Sequence, residues 1–195
     1  NNVPQDWSDL LKDEYSGQVA LAGDPRSSNQ AILAVYAAGL ATGATDAVAA
    51  AEAGLEFFKQ LNDKGNFVPV IAKAASLAQG TTPIVVRWDY NALADRDTLA
   101  GNPPVEVVVP SSSVLAGVYT QAISAYAPHP NAAKLWMEYI YSDEGQLGFL
   151  NGYCHPARFN ALVEAGKVPQ DVLDKLPPAE LYAKAVFPSL DDQKA

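Results

Sequence analysis

Cysteine occurs once (Cys154), methionine once (Met137) and histidine twice (His129, His155), and each scarcity removes a class of chemistry. A lone thiol makes no internal disulfide, so cysteine usage carries no information about redox compartment. Two histidines far apart, with no Cys/His spacing of the zinc-site kind, give no basis for a metal centre, and none is expected. There is no G-x-S-x-G, no phosphate-binding glycine loop and no H-E-x-x-H. Cys154 beside His155 is the one pair that invites nucleophilic catalysis. Neighbours in a loop tend to point apart, and a nucleophile needs its base within hydrogen-bond reach and a third group to orient that base. The expectation is a non-enzyme with no catalytic residue and no cofactor.

Positive charge is also scarce. Thirteen Lys and Arg stand against 22 Asp and Glu, for a net charge of -9, and no basic cluster is present. Phosphate backbones are gripped by clustered Lys and Arg, so no nucleic-acid partner is expected. No apolar run approaches the roughly 20 residues needed to cross a bilayer, and the Ala-rich stretch 44–53 is interrupted by Asp46 and Glu52. Internal repeats, low-complexity tracts and heptads are absent. At 195 residues and 49% hydrophobic, the chain has the means to bury a sizeable core, as one domain or one domain plus a piece of another.

Pro4, Trp7, Leu10 and Leu11 predict a short helix with one apolar face. Residues 19–21 predict a buried strand that stops at Gly23-Asp24-Pro25, and the Ser27/Gln30 spacing predicts a capping box opening a helix over 28–40. Exposed N–H groups and the helix dipole make such a start attractive to anions and polar ligands, which marks Asp24, Ser27 and Ser28 as candidate binding residues. Ordinary capping explains the same letters. Thr45 is the expected N-cap of the next helix, whose Val48, Ala51, Leu55, Phe58 and Leu61 keep helical spacing up to Gly65. A short strand or extended loop at 68–70 and a short Ala-rich helix over 71–78, stopped by Gly80, follow.

The β-branched run 83–86 predicts a second buried strand, with Arg87-Trp88-Asp89-Tyr90-Asn91 at its carboxyl end and a helix through 92–99. Ligands of open α/β sheets bind beyond the carboxyl ends of strands, so Arg87, Trp88, Asp89 and Tyr90 join the candidate site. Aromatic faces with a carboxylate suit an ammonium group, whereas Arg87 and Arg26 suit a carboxylate, phosphonate or phosphate. Composition leaves the sign open. A strand at 105–109, a crossover at 110–113, a strand over 117–126 with mixed faces, and a helix opened by Pro130 come next. Ala133, Trp136 and Ile140 share one stripe of that helix, which with Trp7 on its own helix face predicts both tryptophans as core. Ser142 is the expected cap of a second helix through Leu150. Short helices at 158–166, 169–176 and 178–186 and a frayed tail at 191–195 complete the chain.

The run APHPNAAKLWMEYIYSDEGQ (127–146), preceded in order by VPQDWSDLL (3–11), GQVALAGDP (17–25) and LAGVY (115–119), resembles bacterial extracellular solute-binding proteins. These are the receptors of ATP-driven importers, and the likeness is to family 1, the iron, polyamine and phosphonate type. The resemblance implies a type 2 periplasmic-binding fold, α/β, with a mixed sheet flanked by helices in three layers. It implies residues 1–110 as the second lobe, 111–150 as a return segment completing the first, and 151–195 as C-terminal helices over the lobes. It further implies a small polar solute, polyamine-like, phosphonate or other, held in an interlobe cleft and delivered to an ABC permease, in a periplasmic or extracellular, membrane-associated setting. Tyr119 carries over as the aromatic near the crossover. Iron receptors of this type often use paired tyrosines, and no Tyr-Tyr pair occurs here, which argues against iron; a hard cation on Tyr90, Tyr119 and Asp89 is the residual metal alternative. Asn1 at the start with Met137 as the only methionine leads to the expectation of a removed signal peptide and, by resemblance, a preceding part of the first lobe. Without that part, weak solute binding, exposed apolar surface around Trp136 and Ile140, and self-association are expected. The rival function is the effector-sensing domain of a transcription regulator sharing the fold.

Overall fold

The computed structural model describes residues 2–194, and the chain divides into two compact units, Asn1–Gly117 with Pro178–Ala195, and Val118–Pro177. In chain order the elements are 3-10 helices at Trp7–Leu11 and Asp13–Tyr15, β1 Val19–Leu21, α1 Asn29–Ala41, α2 Ala47–Asp63, β2 Phe67–Ile71, α3 Ala74–Ala78, β3 Ile84–Val86, α4 Asp89–Leu99, α5 Pro130–Tyr141, α6 Asp143–Asn151, α7 Phe159–Glu164, α8 Gln170–Leu173, α9 Ala179–Tyr182 and α10 Leu190–Lys194.

In the first unit, three strands make a sheet of order β2-β1-β3, and β1 pairs parallel with both neighbours. Its three residues are fully buried, which is why an unbroken apolar run, rather than an alternating one, forms this strand. Parallel pairing requires a crossover, supplied by α1 and α2 between β1 and β2 and by α3 between β2 and β3. All three strands therefore end on the same edge. Trp7, Leu10, Tyr15, Val19, Leu21, the α1 alanines, Phe57 and Leu61 form the core. The Trp7 and Phe57 rings meet edge-on at 6.2 Å, and the contact continues through Phe58 to Phe67.

Asp6 caps the first helix and holds a distant segment. Its carboxylate accepts from the Trp7 amide at 2.7 Å, from Ser111 Oγ at 2.6 Å, from the Ser112 amide at 3.1 Å and from Ser112 Oγ. Partial burial pushes the carboxyl up, but the bonds from Ser111, Ser112 and Trp7 outweigh it and leave the group below its ordinary value of 3.8. A depressed folded-state value means that this stabilisation is full above the unfolded value and is lost as pH falls through the folded one. Asp6→Ala is expected to cost about 1–2 kcal/mol at neutral pH, the value of a lost N-cap. Urea midpoints of wild type and variant should converge as the pH is taken down through the acid range; a gap that persists below the folded value would count against the assignment.

In the second unit, α6 to α8 close over Leu150, Leu162 and Val168. Gln146 is buried and doubly used, donating to the Ile140 carbonyl at 2.7 Å and accepting from the Arg158 amide at 2.9 Å. Ser142 caps α6 as expected, accepting from the Gly145 amide at 3.1 Å.

Several expectations are corrected. The sheet, expected to be mixed, is parallel throughout its three strands. Residues 105–109 and 117–126 form no strand: no sheet edge pairs with the first, and the second is largely exposed, with neither mixed face apolar enough to be drawn into a core. The cap of α2 is Asp46, which accepts from the Ala49 amide at 2.9 Å, and not Thr45. The Ser27/Gln30 capping box does not form, because α1 begins one residue later and Gln30 bonds elsewhere. On α5, Ile140 is buried but Trp136 is 58% exposed: the inward stripe runs through Ala133, Met137 and Ile140, and Trp136 stacks on Tyr139 outside it. Residues 190–194 are helical, where a frayed tail was expected from 191; Ala195 lies outside the described residues.

Candidate functional site: the carboxyl rim of the parallel sheet

The shared strand ends bring two turns together. The Ala22 amide donates to the Val86 carbonyl at 3.1 Å, so the chain leaving β1 runs beside the chain leaving β3. Gln30, on the first turn of α1, then bridges them. Its Nε2 donates to the Ala22 carbonyl at 2.7 Å, and its Oε1 accepts, at 3.4 Å, from the Trp88 amide. The chain leaving β2 is tied in on the other side, the Ala72 amide donating to the Leu21 carbonyl at 2.9 Å.

The first turn carries Asp24, Ser27 and Ser28. Gly23 allows it to fold tightly, since a Cβ there would stand 2.3 Å from Ser28 Oγ. The Arg26 guanidinium forks onto the Asp24 carboxylate at 2.6–3.2 Å and the Arg26 amide adds a bond of 2.9 Å. These two, the side chain first, pull the Asp24 carboxyl down to about 2. Asp24 is thereby an ion-paired carboxylate on the surface. Ser28 is the N-cap residue of α1 but makes no side-chain capping bond, and the first turn of the helix holds no acidic residue.

The second turn carries Arg87, Trp88, Asp89 and Tyr90. Arg87 forms an ion pair with Asp95 on α4, both side chains being about six-sevenths buried (14% and 13% exposed). Arg87 is thus a structural strut more than an open clamp. Trp88 is half-buried as the N-cap of α4, and its indole lies against Gly117. Asp89 accepts from the Tyr90 amide at 2.8 Å and stands opposite the buried hydroxyl of Tyr182. Burial first, then the Asp89 charge and hydrogen bond, push the Tyr182 phenol far above its ordinary value of 10. Tyr182 therefore stays protonated.

Seven of the eight sequence-predicted site residues thus lie on two adjoining turns. Tyr119 is 69% exposed and belongs to the second unit. Gln30 and Tyr182 were missed. Gln30 was legible only as a cap, and nothing local marks Tyr182, whose role arises from the chain returning to the first unit near Pro178. Of the Cys154/His155 pair, the His155 ring packs edge-on against Phe159 at 4.8 Å. Among the described residues no three His, Cys, Asp or Glu cluster as metal ligands would, and no helix is long and apolar enough to cross a membrane.

No curated protein matches the chain. Among solved structures it is similar to the periplasmic binding protein P5PA, with a TM-score of 0.57 and 24% identity over 82% of this chain and 48% of that one. The likeness establishes the fold, and the chain spans about half the length of that neighbour. The family model described as bacterial extracellular solute-binding protein matches residues 1–189. That family holds ligands and is not one of enzymes. With nearly its whole length covered, the chain belongs to the bacterial extracellular solute-binding proteins.

Proposed function

We propose that the protein is the solute-binding component of an ABC importer, which takes up a small polar solute on the carboxyl rim of its parallel sheet and delivers it to a membrane permease from the periplasm. The observation that carries this reading is the Gln30 bridge, which joins the turns after β1 and β3 into one surface. Convergent polar groups on a rigid base are what a small-molecule site requires.

The solute-contacting residues are proposed to be Asp24, Ser27 and Ser28 on one turn and Arg87, Trp88, Asp89 and Tyr90 on the other. Their pairing bears on the solute's charge. The Asp24 carboxylate is already paired with the Arg26 guanidinium, so of the two carboxylates Asp89, which has only a neutral phenol opposite it, is the one with negative charge open to an ammonium group. The α1 start has no side-chain cap and no acidic residue in its first turn. Such a start favours an acceptor or anion, which ranks a phosphonate or carboxylate above a polyamine. In the same reading, residues 1–110 correspond to the second lobe, 111–150 to the return segment and 151–195 to the closing helices.

An isotope-labelled chain titrated with methylphosphonate, and separately with spermidine, tests this at affinities too weak for calorimetry. Methylphosphonate is expected to move the amide signals of Ser27, Ser28 and Gln30 and the indole signal of Trp88 together. If neither compound moves them, or if shifts scatter over the surface, the rim is not a solute site.

A further inference from the structure

The chain leaves the first unit after Gly117 and re-enters it at Pro178. The two connecting segments pair with each other: Leu115 and Val186 form an isolated parallel bridge, in which the Ala116 amide donates to the Val186 carbonyl and the Val186 amide to the Val114 carbonyl, each at 2.9 Å. Two such bonds with an exposed Val186 make a weak pair by themselves, since isolated two-stranded contacts are marginal in water.

The outgoing connector is also fastened to the turn after β3. Gly117 lies under the tip of the Trp88 indole, where a Cβ would stand 2.6 Å from Cη2 and 3.2 Å from Cζ2, so the ring fills the space a side chain would need. The returning connector is held through the outgoing one, by the Leu115–Val186 bridge.

We propose that Trp88 is a latch that orders both connectors, the outgoing one directly at Gly117 and the returning one through its bridge to the first, so that occupancy of the turn and order in the connectors are coupled. The latch rests on the reading of this turn as part of the solute site. Coupling of this kind is reciprocal: a solute that fixes Trp88 and Asp89 tightens the connectors by the same free energy with which ordered connectors favour the solute.

Amide hydrogen exchange tests the latch without solute, so it reports on the connectors whether or not the rim binds anything. Gly117→Ala pushes the indole aside, and Trp88→Ala removes it. Each is expected to speed exchange at the Ala116 and Val186 amides by about tenfold or more, since the bridge then opens locally without the ring packed on its near end. The Ala22 amide, bonded to Val86 in the sheet, serves as the internal reference and is expected to exchange at the wild-type rate. Unchanged Ala116 and Val186 rates in both variants would overturn the proposal. So would equal acceleration at Ala22, which would make the two residues general contributors to stability and no latch.

Discussion

Gly54→Ala is expected to destabilise the first unit by about 3 kcal/mol or more, and Gly54→Val to prevent it from folding. A Cβ at Gly54 would stand 2.0 Å from the Val35 carbonyl oxygen, and one at Gly39 would stand 1.7 Å from the Ala50 carbonyl oxygen. The two helices α1 and α2 therefore touch backbone to backbone. This follows from the letters: α1 buries Ala31, Ala34, Val35, Ala37, Ala38 and Gly39, almost all small, so little but main chain separates the axes. The clashing atoms are carbonyl oxygens fixed in helices, which have no rotamer into which to retreat. Relief requires the helices to part, and that uncovers the sheet, since α1 and α2 form the crossover that closes the core over β1. Because a domain is stable by only about 5–15 kcal/mol, the valine substitution leaves no margin. Gly148→Ala in α6 is the control: a Cβ there meets nothing within 4 Å, so helix propensity alone acts and a gain of up to about 1 kcal/mol is expected. Urea midpoints at constant slope decide both cases. A Gly54→Ala midpoint equal to that of wild type would show that the two helices are free to separate.

The same contact shows what was legible in the sequence and what was not. Short β-branched or apolar runs bounded by glycine and proline marked β1 and β3, because a strand buried on both faces needs no alternation. Their carboxyl ends followed at once, and with them Asp24, Ser28, Trp88 and Asp89. What local spacing does not encode is which partner satisfies a polar side chain. Gln30 reads as a cap three residues after Ser27, yet a sheet carbonyl and a neighbouring turn outcompete the helix start for it. Arg87 reads as an anion clamp, but Asp95, two turns along α4, neutralises it. The rotational phase of α5 failed for a related reason: Trp136 and Met137 are adjacent, apolar and equally compatible with helical periodicity, and packing alone selects Met137 for the inward side. Residues 105–109 failed because a strand needs an edge, and an edge is a property of the assembled sheet.

Trp7→Ala is expected to cost about 3–5 kcal/mol, the range for deleting a buried aromatic side chain. Trp7 is 6% exposed, packs edge-on against Phe57, and donates from its indole Nε1 to the Ser113 carbonyl at 3.1 Å. These are separable terms. Trp7→Phe keeps much of the ring contact with α2 and removes only the donor, leaving a carbonyl on a buried residue without its partner, at a further cost of about 1–3 kcal/mol. The consequence reaches past stability, because Ser113 and the neighbouring Ser111 and Ser112, held by Asp6, begin the connector that runs to Gly117 beneath Trp88. With the phenylalanine variant folded, exchange at the Ala116 amide reads whether the indole bond anchors that connector at its near end, as the Trp88 latch does at its far end. Acceleration there, with the Ala22 amide unchanged, would show that Trp7 acts through Ser113. An Ala116 rate equal to that of wild type would confine the role of Trp7 to the core it shares with Phe57.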